Sequence, residues 1–197
     1  MPLHLYEGLS GRLITPILKA KRFTGAQMLA VLKRLVQRLR HVWPATLLIV
    51  RGDSHFAYPE VMQWIEEQPE LNYVTGLTRN AVLKELAQDV VEQAQRAYAR
   101  SQHKVTRFPS TRYQAGTWAR SRRVVIKVAV SDQGVNTRFV VTDRERARTQ
   151  VLSRHIYCAR GQAENEITDH QLYLKSDRSP SSSSPRCCCG PSTVACG

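Results

Sequence analysis

The chain has 197 residues, a hydrophobic fraction of 42% and a formal net charge of +13, from 29 Lys+Arg against 16 Asp+Glu. That length is enough for one core-bearing domain, and the charge favours a polyanion as partner, because each neutralised phosphate releases condensed counterions. No apolar run is long enough to span a bilayer and the opening Met1-Pro2-Leu3-His4 lacks the basic start of a secretion signal, so no membrane partner and a cytoplasmic location are expected.

In chain order, Leu3 to Ala20 reads as two short strands turning around Gly8 and Gly11. Thr24 then caps a helix in which Met28, Val31, Leu32, Leu35, Val36 and Leu39 recur at helical spacing, with Lys33, Arg34, Arg38 and Arg40 largely on the other face and Pro44 as the stop. The apolar run Thr46 to Val50 predicts a strand buried on both faces, ending in Arg51-Gly52-Asp53-Ser54-His55-Phe56. Pro59 opens a short helix with Val61, Met62, Trp64 and Ile65 inward, and Asn72 to Leu77 reads as the next strand. Strand, helix and strand in this order point to an α/β core with parallel neighbours.

A helix is predicted from Ala81 to about Arg100, striped by Leu83, Leu86, Val90, Val91 and Ala94. Residues 106–143 change to β character, with strands at Val124–Val130 and Thr137–Val141 joined by the turn Ser131-Asp132-Gln133-Gly134, and are expected to form an insertion. A final helical pattern runs from about Arg146 to Leu174. From Ser179 the Ser/Pro-rich stretch has almost nothing apolar to bury, so 179–197 is expected to be a disordered tail, of a composition that out-of-frame translation of GC-rich DNA would give. Its cysteines, Cys187, Cys188, Cys189 and Cys196, lack zinc-site spacing.

Two places carry candidate chemistry. Asp53 follows a buried strand directly, and groups at the carboxyl ends of strands in open α/β sheets face the functional crevice, where a carboxylate suits a divalent metal. The competing reading is that Asp53 only caps the following turn through the Ser54 or His55 amide. The second place is Tyr157-Cys-Ala-Arg160-Gly-Gln-Ala-Glu164, whose spacing brings Tyr157, Arg160 and Glu164 to one helix face, with Gln171 joining them. A carboxylate, a guanidinium and a phenol suit phosphodiester chemistry, whereas the bland reading is a solvated Arg160–Glu164 pair. Glu166, two residues on, points away from Glu164.

At these residues the sequence resembles the insertion-sequence transposases of the DDE type, in the IS1380 group of the IS4-like set. Their signature of Tyr, Arg, Glu and Lys reads here Tyr157, Arg160, Glu164 and Gln171, and Ile49 to Phe56 resembles the segment bearing the second catalytic Asp. Residues 172–178, which include Lys175, resemble the group as well. The resemblance implies an RNase H-like catalytic core over 1–178, with a β-rich insertion between the second Asp and the Glu. It further implies two-metal phosphoryl transfer with Mg²⁺ or Mn²⁺ held by Asp53 and Glu164 as catalytic ligands. Tyr157, Arg160, Gln171 and Lys175 would then face the DNA of the insertion-sequence ends.

Departures from the family pattern shape the expectation about activity. Upstream of Asp53 the only carboxylate is Glu7, outside the family's first-Asp motif, so the first strand and its Asp are expected to be missing and the chain truncated at both ends. An inactive transposase fragment is the first reading. A DNA-binding or transposase-interfering module, which would also engage full-length transposase in the nucleoid, is the second. A nuclease using Glu7 as substitute ligand, and a basic structural protein with no site, complete the set.

Overall fold

The computed structural model describes residues 2–157, apart from 9 and 19–21. Strands β1 (Pro2–Tyr6) and β2 (Leu13–Leu18) pair antiparallel and form a two-stranded sheet of their own. Their turn is closed by the Glu7 N–H donating to the Arg12 carbonyl and the Gly11 N–H to that of Glu7. Gly11 sits at φ 71°, in the left-handed region that favours glycine.

Helix α1 (Gly25–Val42) starts where Thr24 predicts it. The Thr24 hydroxyl accepts from the Gln27 amide while the Gln27 side chain accepts from the Thr24 N–H, so two otherwise orphaned donors are satisfied reciprocally. Met28, Leu32 and Val36 form its buried face. At its far end the Arg40 guanidinium donates to the carbonyls of Pro44, Thr46, Pro69 and Glu70, tying α1 to the loops that lead into the next two strands.

Strand β3 (Leu48–Gly52), helix α2 (Pro59–Glu66) and strand β4 (Leu71–Leu77) make a β-α-β unit in which β3 and β4 run parallel, as the alternation implies. The expected burial of the Thr46–Val50 run on both faces is corrected. Thr46 and Leu47 are exposed, and Leu48, Ile49 and Val50 are half-buried. The reason is position: among the described residues β3 has β4 as its one neighbour and so lies at the edge of the sheet.

Helix α3 (Ala81–Ser101) is capped by the Asn80 side chain accepting from the Leu83 N–H. Leu83, Ala87 and Ala94 are its buried stripe, whereas Leu86, expected inward, is exposed. Strands β5 (Val105–Arg107), β6 (Ser110–Tyr113), β7 (Arg122–Ser131) and β8 (Gly134–Thr142) follow. The hairpin of β7 and β8 turns where expected, with Gly134 at φ 95°.

These strands are built into the same sheet as β3 and β4. Its order is β3-β4-β8-β7-β5 with β6 also on β7, and β8 pairs antiparallel with β4. The β-rich segment 106–143 thus continues the main sheet. The sheet has two packed faces. One carries Tyr73, Val124, Ile126, Val128, Phe139 and Val141 against α1, α2, α3 and Leu3 of the hairpin. The other carries Val74, Val125 and Val140 against Leu152, with Ile49, Ala147 and Tyr157 partly buried around them. The alternation of β7 explains the split, since successive side chains leave a strand on opposite faces.

The segment Val151–Tyr157 that covers the second face is wound as a π-helix. The continuation expected to Leu174 and the tail 179–197 lie outside the described residues.

Candidate active site at the tip of the third strand

Asp53 is the first residue beyond β3, and its carboxylate bends back over the turn that follows. One oxygen, Oδ1, accepts from the His55 N–H at 2.9 Å, capping the 3-10 turn Ser54–Phe56, and Oδ2 lies 3.2 Å from His55 Nδ1. The turn-capping reading of Asp53 therefore holds. It does not exclude the other, because a carboxylate offers about four acceptor positions and this side chain is 33% exposed at the strand tip. Gly52 permits the sharp change of direction: a Cβ there would stand 2.5 Å from the Phe56 ring, which folds back over the strand end.

The hairpin turn lies against the same strand. The Arg51 guanidinium donates to the Gly8 carbonyl at 3.0 Å, so close that a Cβ on Gly8 would meet it. Glu7, considered as a substitute ligand, accepts the Ser10 N–H across its own turn.

The π-helix that ends at Tyr157, the first residue of the second motif, arrives at this place. The Tyr157 hydroxyl is seated on Gly76 of β4: a Cβ built on Gly76 would lie 2.5 Å from Tyr157 Oη and 3.3 Å from the Ser54 backbone N. In the parallel register Gly52 pairs with Thr75, so Gly76 stands just beyond the tip of β3. The first residue of the Tyr-Arg-Glu pattern and the turn that follows Asp53 thus converge on one glycine. Arg160, Glu164, Gln171 and Lys175 lie outside the described residues. The π winding before Tyr157 also alters the face arithmetic upstream, since hydrogen bonds now span five residues rather than four.

Arg123 positions this helix. Its guanidinium donates to the carbonyls of Arg144, Glu145 and Ala147 at 2.7, 2.7 and 2.9 Å, pinning the segment that leads from β8 into the helix. No sequence spacing indicates this contact.

Sequence reasoning also missed a buried charge cluster. Glu66, at the end of α2, accepts from Arg122 Nε at 2.7 Å, from the Tyr73 hydroxyl at 2.8 Å and from Arg120. Glu66 and Arg122 side chains are 5% and 3% exposed, and the Arg122 guanidinium stacks on Trp118 at 5.1 Å. Burial alone would raise the Glu66 pKa, but the hydrogen bonds from Arg122, Arg120 and Tyr73 outweigh it and hold the carboxyl below its ordinary value. Burial, with the Glu66 charge, pushes the Tyr73 phenol well up. Asp143 accepts from the Tyr73 N–H and the Asn72 amide, and burial raises its pKa. These groups fasten α2 and β4 to β7 and lie away from Asp53 in the topology.

Among the described residues no three His, Cys, Asp or Glu side chains are grouped to hold a metal ion, and no helix is long and apolar enough to cross a membrane. The family model described as transposase DDE domain group 1 matches residues 1–186, a span that runs past the 178 boundary read from the sequence. No curated protein matches the chain.

Proposed function

The chain belongs to the transposase DDE domain family, group 1, and on that premise we propose that it is a DNA-handling domain of the IS1380 type with Asp53 and Glu164 as its acidic pair. We further propose an RNase H-like core. The observation that carries the reading is the seat of the Tyr157 hydroxyl on Gly76, beside the turn that Asp53 caps. It supports delivery of Tyr157, the first residue of the motif, to the strand tip that bears Asp53.

In this reading Asp53 and Glu164 would hold Mg²⁺ or Mn²⁺ through hard oxygen donors, a role open to a half-buried carboxylate at a strand tip. When bound, such ions activate a water or 3′-hydroxyl and stabilise the leaving oxygen. Arg160 orients a phosphate with its planar fork, and Tyr157 and Lys175 contact the DNA backbone. Gln171, where the family has Lys, offers a neutral amide and a weaker hold. Asp53 has a second task, fixing the turn that lies beside Gly76, the residue on which Tyr157 sits.

We propose that this chain by itself does not catalyse strand transfer, because a third acid is needed to offset the charge and desolvation of two cations. Glu7, the substitute ligand considered, accepts the Ser10 N–H across its own turn. A second reading is favoured by the net charge of +13: a module that binds insertion-sequence ends or full-length transposase without chemistry.

Nicking of supercoiled plasmid in Mg²⁺ and Mn²⁺, run beside a salt-titrated gel shift, tests both. Salt-sensitive DNA binding without nicking is expected. Metal-dependent nicking that vanishes in Asp53→Ala would overturn inactivity, and salt-insensitive or absent binding would remove DNA as partner.

A further inference from the structure

Away from the strand tip, Arg107 at the end of β5, Arg123 of β7 and Arg148 ahead of the π-helix line an open cleft of about 540 Å³, together with Thr106, Thr149 and Gln150. Its described lining contains no carboxylate. The nearby Arg112 is already matched by Glu145 at 2.9 Å, whereas Arg107 and Arg148 have no ion pair among the described residues. Converging guanidiniums without an acid repel one another, and an anion between them relieves that repulsion. Hydroxyls from Thr106 and Thr149 and the Gln150 amide add neutral donors of the kind that bind phosphate oxygens.

We propose that this cleft is a second phosphate-binding site, gripping the DNA backbone at a fixed distance from the strand-tip site. The inference rests on the DNA reading above and adds a place and a spacing to it. Arg123 is the fixed member, since the three carbonyls it bonds hold it in position. Arg107 and Arg148 are the groups that engage phosphate.

The spacing follows from the sheet. Across it, β5 and β4, on whose Gly76 Tyr157 sits, are separated by β7 and β8, three strand spacings or about 14 Å. A backbone gripped at the arginine cleft and running across the sheet therefore passes Tyr157 within a few nucleotides.

The test is fluorescence anisotropy of the full chain with a fluorescein-labelled duplex of random sequence, from about 50 to 200 mM salt. Arg148→Ala is expected to lower the slope of log K against log salt by about 1, and Arg107→Ala with Arg148→Ala by about 2. Arg96→Ala, which removes the same charge from an exposed i,i+4 pair on α3, is expected to leave the slope unchanged. Equal slope losses in Arg96→Ala and Arg148→Ala would overturn the cleft while leaving DNA binding intact. No binding by the wild-type chain would overturn the DNA reading itself. Should Arg148→Ala fail to give a folded melt, Arg107→Ala, on a short edge strand, decides by a slope loss of about 1 or none.

Discussion

Gly76→Ala probes the contact on which the site reading depends. Gly76 is buried in β4, where its backbone carries no positive φ, so an alanine adopts the same conformation without strain. Freed from any contact, the change would stabilise the chain by roughly 0.4–1 kcal/mol through the unfolded state. The new Cβ, however, would lie 2.5 Å from Tyr157 Oη and 3.3 Å from both Tyr157 Cζ and the Ser54 backbone N. Overpacking of this kind costs roughly 1–3 kcal/mol, so a net loss of about 1–2 kcal/mol is expected. Tyr157→Phe removes the most crowded atom, and in that background the alanine should cost at least about 0.5 kcal/mol less. Urea unfolding followed by circular dichroism at constant m reads the cycle directly. A neutral or stabilising Gly76→Ala, or strict additivity with Tyr157→Phe, would refute the seating of Tyr157 and remove the support for placing its helix at the Asp53 tip.

The remaining expectations concern the acids. Asp53→Ala should cost roughly 1 kcal/mol of stability through the lost cap, whereas Asp53→Asn keeps an acceptor and should stay within a few tenths. Both should abolish any Mn²⁺-dependent rise in melting temperature, and a rise retained in Asp53→Asn would exclude this carboxylate as a ligand. Glu66→Ala should cost roughly 3–5 kcal/mol, because Arg122 would be left buried without its counter-charge, and a chemical melt within 1 kcal/mol of wild type would contradict that. The Arg122 Nη1 already lacks a hydrogen-bond partner among the described residues, so the cluster has little to fall back on. The folded pKa of Glu66 lies below its ordinary 4.5, so the unfolded chain takes up the proton first as pH falls. Its stabilisation is therefore complete above pH 4.5 and lost as pH drops through the folded value. Asp143, raised by burial, acts in the opposite sense. The comparison of acid melts for wild type and Glu66→Gln isolates the Glu66 contribution, and identical acid sensitivity would show that the cluster does not carry it.

Much of the local structure was legible in the sequence. The period of Met28, Leu32 and Val36 and the Thr24 cap marked α1, and the Asp132-Gln133-Gly134 turn marked the β7–β8 hairpin. Asp53 at a strand end could be read from the apolar run before it. Capping, turn chemistry and side-chain periodicity act between residues a few positions apart, so a linear string records them. The short strands β5 and β6 escaped, since neither is long or apolar enough to set up a period.

What tertiary structure alone decided is which of these pieces meet. An apolar run such as Leu48–Val50 suits a central strand or an edge strand equally, and only the pairing order makes β3 an edge and leaves it half-buried. Glu66 and Arg122 are 56 residues apart, and Arg123 reaches carbonyls more than twenty positions away, with no spacing to announce either contact. The seat of Tyr157 on Gly76 needed the sheet register that sets Gly76 just past the tip of β3, and the arginine cleft needed β5, β7 and the helix start to be brought side by side. Such meetings depend on how the sheet orders its strands and which face each element covers, a balance of packing over the whole chain rather than a property of any one segment.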